Sequence, residues 1–517
     1  MSSSWPAAFA GAVHAALRRR LPPEADGAEL ERLSLELIEA LERGELDLPL
    51  TLERRTAAAR SGWLDGEASP LLLQGQRIGW RRWLESMQAV VEQLLVRTQP
   101  LLPPARPVTS SADTLNPEQQ AAVMALDEAP VVLLSGGPGT GKTSTVVELL
   151  QRATSRHPEL RPGLAAPTGK AARRLADAVR PRLQDVPCFT LHRWLEASGD
   201  GFRRHRKRPL ELDLLVIDEM SMVDLALMTA LLEALPASCR LVLVGDPAQL
   251  PPIGSGAVWH RLQDPAIRSQ FGSAAIHLQR TYRNRGALAD LARALREGGL
   301  PAFREQLDRL PSQANVTVVE ARLQRLPPLV RERWQTRHRR LATLAEGLVD
   351  RPEHELQQAA EPLLRELERD LLLCPRRQGP WSLNDVHRTL LGAAAWNDPM
   401  AWGEGVPVIC GGNQPELGLA NGDLGVKLGA GEQGRVLFRV IGPDGEQQVR
   451  RLHPARLKAL EPALALTIHR AQGSEADTVG VLWPQGDGQD SAYDSCLLYT
   501  AITRARVSLD LFLSTST

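Results

Sequence analysis

Between Val131 and Leu150 the chain reads VVLLSGGPGTGKTSTVVELL: an apolar run, a glycine-rich loop, then the start of an amphipathic helix. Gly136 to Thr143 fits the spacing G-x-x-x-x-G-K-T, and a strand before it with a helix after it is the setting such a loop requires. Gly136, Gly137, Pro138, Gly139, Thr140, Gly141 and Ser144 form the expected cofactor-binding loop, whose glycines let successive backbone N–H groups curl around phosphates while the helix N-terminus adds partial positive charge. Lys142 is expected to reach the β/γ-phosphates of ATP and Thr143 to hold Mg²⁺. Asp218 and Glu219 end the apolar run LLVIDE, where paired acids at the end of a buried strand are costly unless they meet a cation. Asp218 is read as a second Mg²⁺ holder, and Glu219 as the group that orients and deprotonates the attacking water. Another strand ends LVLVGDPAQLPPIG, which sets Asp246 and Gln249 on the loop beyond it; the uncharged Gln249 suits a γ-phosphate sensor.

Such a site needs a sheet behind it. From Leu115 onward short apolar strands alternate with helical segments, in VVLLSG, RPGLAAPTG, LLVIDE and LVLVGD. Strands that are apolar throughout imply a parallel sheet covered on both faces. Near Gly299 the pattern becomes helical and charged until LLLCPRR, and GVPVICGG, DLGVKLG and GRVLFRVIGPDG then suggest a small antiparallel barrel inserted in a second α/β unit. Before residue 97 the periodicity is helical, in LERLSLELIEALERGELDLPL and WRRWLESMQAVVEQLLVR, and the Pro-, Ser- and Thr-rich stretch Arg97 to Thr114 reads as a linker.

Bulk properties set limits. At 517 residues the chain exceeds what one core supports. Its 61 Lys and Arg balance its 61 Asp and Glu, so a nucleic acid would be held by local patches and not by global charge. The five scattered cysteines show no metal spacing and suit reduced thiols in a cytoplasmic protein, with no leader and no membrane span expected. Arg203, Arg204, Arg206, Lys207 and Arg208 stand almost together in GFRRHRKRPLEL, either a solvated loop or a DNA contact. Trp194 is either a base-stacking platform or core.

The order LNPEQQAAV, GGPGTGKT, APTGKAARRL, TLHRWL, VIDE, GDPAQLPP, LQRTYR, LTIHRAQGSEAD and YTAITRAR resembles superfamily 1 DNA helicases, and within them the RecD family, from Leu115 to the C-terminus. The resemblance implies an ATP-dependent DNA helicase of α/β class: two RecA-like P-loop motor domains at 115–298 and 299–517, a helical N-terminal partner-docking domain at 1–100, a linker at 101–114, a short basic insertion near 198–212 and a β-barrel insertion near 409–460. By the same resemblance Gln119 reads adenine, Arg283 and Arg504 are arginine fingers, and Thr168, Lys170, Thr190, His192, Thr467 and His469 line the single-strand track or couple it to ATP. Arg470 and Ala471 replace the expected Lys and Ser. Translocation from 5′ to 3′ is implied by the family and not by spacing. About 100 residues before the linker favour a subunit working with RecB-like and RecC-like partners on single- and double-stranded DNA in break repair, over a free-standing repair helicase. No nuclease centre stands out, so cleavage is expected of a partner. A clamp with a non-hydrolysing ATP switch is disfavoured by the complete catalytic set. The region before Arg97 is expected to contribute nothing to hydrolysis.

Overall fold

The computed structural model describes residues 7–20, 28–64, 66, 69–97, 115–199, 201–282, 286–311, 314–441, 447–484 and 492–515. The chain opens with α1 (Ala7–Arg20), α2 (Ala28–Glu42), β1 (Asp47–Pro49), α3 (Leu52–Arg60), β2 (Leu71–Gln74), β3 (Arg77–Trp80) and α4 (Arg81–Val96). Leu30, Leu33, Leu37 and Leu41 recur at helical spacing on α2 and bury against Trp63, Ile78 and Trp80. This region is not purely helical, because β3 pairs antiparallel with β1 and β2. Strands of three or four residues are too short to print an alternating pattern.

Nor does it stand apart. Met87, Val90, Val91 and Leu94 of α4 are buried in one core with Leu227, Met228 and Leu231 from further along the chain. Arg97, at the end of α4, donates from Nη1 to the carbonyls of Pro236, Ala237 and Cys239 at 2.6, 3.4 and 3.1 Å, and from Nη2 to that of Leu235 at 3.2 Å. The expected linker at 101–114 lies outside the described residues.

The next stretch is α5 (Pro117–Glu128), β4 (Val131–Gly136), α6 (Lys142–Arg156), β5 (Pro162–Ala166), α7 (Gly169–Val179), β6 (Cys188–Thr190), α8 (Leu191–Trp194), the hairpin β7 (Ala197–Ser198) and β8 (Gly201–Phe202), β9 (Leu214–Ile217), α9 (Leu225–Ala234), β10 (Arg240–Gly245), α10 (Val258–Leu262), α11 (Pro265–Arg268) and β11 (Ala275–Leu278). Six strands form a parallel sheet in the order β11-β4-β10-β9-β5-β6. Alternate residues of its strands feed opposite faces: Leu133, Leu215, Leu241 and Leu243 pack with α4 and α9, while Val132, Leu134, Val216 and Val242 pack under α5 and α6. Burial on both faces is why these strands read as unbroken apolar runs.

The remainder is α12 (Ala287–Asp308), β12 (Val316–Arg322), α13 (Pro328–Ala345), α14 (Glu353–Arg369), β13 (Asp370–Cys374), α15 (Leu383–Leu391), β14 (Pro407–Cys410), β15 (Leu424–Leu428), β16 (Arg435–Ile441), β17 (Gln447–Leu452), β18 (Leu460–Pro462), β19 (Leu466–Thr467), β20 (Ala476–Trp483), α16 (Ala492–Ile502) and β21 (Ala505–Thr515). A second parallel sheet runs β12-β21-β20-β13-β19. Strands β14 to β18 form a separate antiparallel sheet in the order β17-β16-β15-β14-β18, so its described ladder has two edges. α12 kinks at Gly299, where the expected division falls, but Leu288, Leu291 and Leu295 ahead of the kink bury in the second sheet's core, so by packing that piece goes with the second unit.

Candidate functional site

Several candidate residues of the first unit sit just past the carboxyl end of a strand: Gly137 after β4, Thr168 after β5, Asp218 after β9 and Asp246 after β10, with Thr190 closing β6. Parallel pairing aligns these ends, so residues distant in sequence share one rim. The loop after β4 turns back sharply with Gly139 at φ +72° and Gly141 at φ +86°, a region L side chains enter only with strain. Lys142 Nζ donates to the carbonyls of Gly136 and Gly137 at 2.7 and 2.9 Å, so its ammonium lies within the cradle where phosphates would sit. Thr143 is half-buried and Ser144 exposed at the start of α6.

Gln119 is fixed by a reciprocal cap: Asn116 Oδ1 accepts from its N–H at 2.8 Å and its Oε1 accepts from Asn116 N at 3.1 Å. Its Nε2 reaches the Thr140 carbonyl at 3.5 Å, and a side chain on Gly141 would strike it at 2.5 Å. Asn116 also donates to the Tyr282 hydroxyl at 2.8 Å, and Tyr282 N–H donates to the Gly139 carbonyl at 2.8 Å. Tyr282 remains 42% exposed beside the loop, an aromatic face that sequence reasoning passed over although LQRTYR contains it. Arg283 lies outside the described residues.

Asp218 and Glu219 are both buried. Burial first, then the neighbouring Glu219 carboxylate, pushes Asp218 above the ordinary carboxylate range, with Arg174 and Lys142 pulling the other way. Asp218 Oδ1 accepts from Glu219 N–H at 2.8 Å. Glu219 has φ +55°, a left-handed conformation that costs a side-chain-bearing residue about 1–3 kcal/mol and tends to persist at functional sites. A buried acid pair of this kind fits a divalent cation, whose charge would relieve what burial and proximity impose. Gln249 is also buried, and its Oε1 has no hydrogen-bond partner while its Nε2 donates to Asp246 Oδ2 at 3.3 Å. That open acceptor suits a water or a donor on a bound molecule.

The second unit closes over this rim. Tyr499 donates its hydroxyl proton to Asp246 Oδ2 at 3.0 Å, and burial holds its phenol well above the usual tyrosine range. A side chain on Gly137 would meet that hydroxyl at 3.3 Å and Arg296 Nη1 at 3.8 Å. Leu250 N–H donates to Thr500 Oγ1 at 3.0 Å, and Gln472 Nε2 donates to the Leu250 carbonyl at 3.2 Å. Arg504 is buried, donating from Nε to the Thr500 carbonyl at 3.0 Å and from Nη1 to that of Ser474 at 3.3 Å. Tyr499 could have been picked from the YTAITRAR motif; Arg296 lies in a plain amphipathic helix with no local signal.

The candidates for a strand track divide. Thr168 and Thr190 cap α7 and α8, their hydroxyls accepting from Ala171 and Arg193 N–H at 3.2 Å. Thr467 accepts from Arg470 N–H at 3.4 Å. His192 is exposed. Lys170 Nζ is buried without a hydrogen-bond partner, and burial lowers its titration to about 8. His469 turns to the Tyr493 hydroxyl at 2.9 Å and is held neutral down to about 4 by burial. Arg470 makes a two-pronged pair with Glu461 at 2.9 and 3.0 Å. In the basic segment Glu196 gathers Arg204 and Arg208 at 2.7 and 3.0 Å, while Arg206 and Lys207 are exposed without ion pairs among the described residues. Trp194 is core: Nε1 donates to the Leu164 carbonyl at 2.8 Å and the ring meets Phe189 edge-on at 5.2 Å.

Residues 119–255 match the family model described as AAA domain, and residues 462–511 match UvrD-like helicase C-terminal domain. The RecBCD enzyme subunit RecD of Mycobacterium tuberculosis is 34% identical over 480 residues, covering 87% of this chain and 78% of its own. The ATP-dependent RecD2 DNA helicase of Deinococcus radiodurans is 32% identical over 401 residues, covering 75% of this chain and 48% of its own. Among solved structures, Bacteroides Pif1 bound to ssDNA covers 77% of this chain and 92% of its own at 17% identity, with a TM-score of 0.43.

Proposed function

The chain belongs to the RecD family, and from that premise we propose that it is the ATP-dependent DNA helicase motor of a RecBCD-type assembly, moving 5′ to 3′ along single-stranded DNA beside RecB-like and RecC-like partners in break repair. The observation that carries the reading is the shared rim: the phosphate loop, the buried acid pair and Gln249 stand together at the ends of parallel strands, with Tyr499 and Thr500 of the second unit hydrogen-bonded to Asp246 and to Leu250 beside Gln249, and Arg296 close to Gly137. Chemistry at that rim is felt by both units at once.

The residues divide the work by charge and placement. The glycine loop and Lys142 bind the phosphates, Gln119 and Tyr282 flank the base, and Glu219 orients the attacking water and takes its proton. Mg²⁺, held by Thr143 and Asp218, supplies positive charge to the phosphate oxygens when bound. Gln249 contacts the γ-phosphate through its open acceptor and donor, and Arg504 and Arg283 stabilise charge on the transferring group. Arg504 must exchange its carbonyl contacts for phosphate oxygens, which couples hydrolysis to movement of α16.

Two motor units, 115–286 and 287–515, follow from this reading, with the antiparallel sheet at 407–462 as the barrel insertion and the N-terminal region as a docking element that also braces the first unit. No helix among the described residues is long and apolar enough to cross a membrane. The test is ATP turnover with and without single-stranded DNA, in the wild type and in Lys142→Gln. Strong DNA stimulation lost in the variant is expected; near-normal stimulated turnover in the variant would overturn the motor reading.

A further inference from the structure

Arg174 lies midway along α7 and joins two carboxylates that belong to different units. Its Nη2 is 3.4 Å from Glu219 Oε1, and its Nη1 is 2.8 Å from Glu475 Oε1. Glu475 is in turn paired through Oε2 with Arg506 Nε at 3.2 Å. The side chains of Glu219 and Glu475 are only 9% and 11% exposed, and that of Arg174 36%, so these ion pairs are partly buried and less screened than pairs on the open surface. A line of alternating charge therefore runs from the end of β9 in the first sheet to β20 and β21 in the second.

The same helix begins at the strand track. Thr168 is its N-cap, and a side chain on Gly473 of the second unit would meet Thr168 Oγ1 at 3.2 Å and Ala171 Cβ at 3.3 Å. The loop carrying Gly473 and Glu475 thus lies along α7 at two points, one beside Thr168 and one at Arg174. An α-helix of 11 residues is stiff, so a shift at its cap is carried to Arg174 almost undiminished. The two contacts of Arg174 are also unequal. Charge-assisted hydrogen bonds settle near about 2.7–2.9 Å. The hydrogen bond from Nη2 to Glu219 is therefore loose, while Nη1, close to Glu475, is not aligned to hydrogen-bond with it.

We propose that Arg174 is a positioning residue through which a DNA strand on the Thr168 side sets the Glu219 carboxylate: strand binding draws the Gly473–Glu475 loop and α7 together, seats Arg174 on Glu219, and turns that carboxylate toward the attacking water. The proposal rests on Glu219 being the water-activating group. It explains why hydrolysis should depend on DNA although Thr168 and the phosphate loop follow different strands.

Arg174→Gln keeps a polar side chain but removes the charge. Its ratio of DNA-stimulated to DNA-free turnover is expected to fall by about tenfold or more, within the span of site-to-site coupling, while KM for ATP and Kd for a fluorescent single-stranded oligonucleotide stay within about twofold. Arg174→Lys is expected to restore part of the ratio. Glu475→Gln, which tests the same chain from its other end and covers the case that Arg174→Gln fails to fold, should lower the ratio too, and the double variant should be no worse than the worse single one. An unchanged ratio in Arg174→Gln, or a Kd weakened as much as the ratio falls, overturns the proposal. Glu219→Gln is the separating control: if it keeps turnover, the reading of the site itself fails, whatever Arg174 does.

Discussion

Replacing Arg97 by Met tests whether the N-terminal region is part of the motor. The substitution keeps most of the apolar stem and deletes the guanidinium, which now donates to four carbonyls between Leu235 and Cys239 at the end of α9. Burial lowers the titration of Arg97 without neutralising it, so the hydrogen bonds that Met cannot make are charge-assisted and partly desolvated. A hydrogen bond to a charged group contributes about 1.5–3 kcal/mol, and the four share one donor group and one short turn, so the sum saturates at roughly 3–4 kcal/mol. That corresponds to about a hundred- to a thousandfold in an opening equilibrium. Hydrogen exchange followed by mass spectrometry reads this opening locally. Amides of α4 and of α9 should both exchange faster by about two orders of magnitude in Arg97→Met, because Met87, Val91 and Leu94 share a core with Leu227 and Leu231. Faster exchange in α4 alone would refute the reasoning, since it would mean that α4 rests on a unit that does not need it. Removing residues 1–97 should accordingly cost the motor its fold.

Arg504→Ala should lower turnover by about a thousandfold with nucleotide affinity retained, as measured by fluorescent-nucleotide binding and steady-state hydrolysis; an equal loss of affinity would place Arg504 in the ground state. Arg206→Gln with Lys207→Gln should reduce the slope of log affinity against log salt by roughly 0.7 for each phosphate of the single strand that is no longer neutralised, and an unchanged slope would return the segment to a solvated loop. Arg204→Gln should act on stability instead, because Glu196 loses a partner. His387 is buried, accepts from Ala465 N–H at 3.4 Å and is pulled by burial to about 4 from an ordinary 6.5. Below pH 6.5 the unfolded chain binds a proton that the folded chain refuses, so this contribution to stability is full above 6.5 and is lost as pH falls toward 4. Urea midpoints at pH 7 and pH 5 should show the decline, and His387→Gln should make it shallower.

The strand–loop–helix setting of Gly136 to Thr143 was legible because its signal is local: one consecutive run, with a strand before and a helix after. The acid pair was legible for the same reason, and the strands that bear both are buried on two faces and so read as apolar runs. What stayed hidden depends on partners remote in sequence. The β12 edge strand, VTVVEAR, is mostly exposed and, among the described residues, pairs only with β21, which gives no core pattern to read. The helical period of α4 marks an apolar face but not its destination, so nothing in WLESMQAVVEQLL says that it packs on α9. Lys170 and Arg174 stand four residues apart on one helix, yet one is enclosed without a hydrogen-bond partner and the other spans two carboxylates. Side-chain type could not separate them; only the opposing loop does.

Leu250 follows Gln249 directly and is fully buried, but in the core of the second unit, among Leu291, Leu498 and Tyr499. The first unit thus ends the loop that follows β10 with an apolar stud set into its neighbour. Parting the units at this point would wet that stud, at a cost of about 1.5–3 kcal/mol for a leucine, whereas swivelling about it costs far less. Movement about such a pivot turns the units on each other and does not separate them. The stud also keeps the joint from coming loose while the units turn.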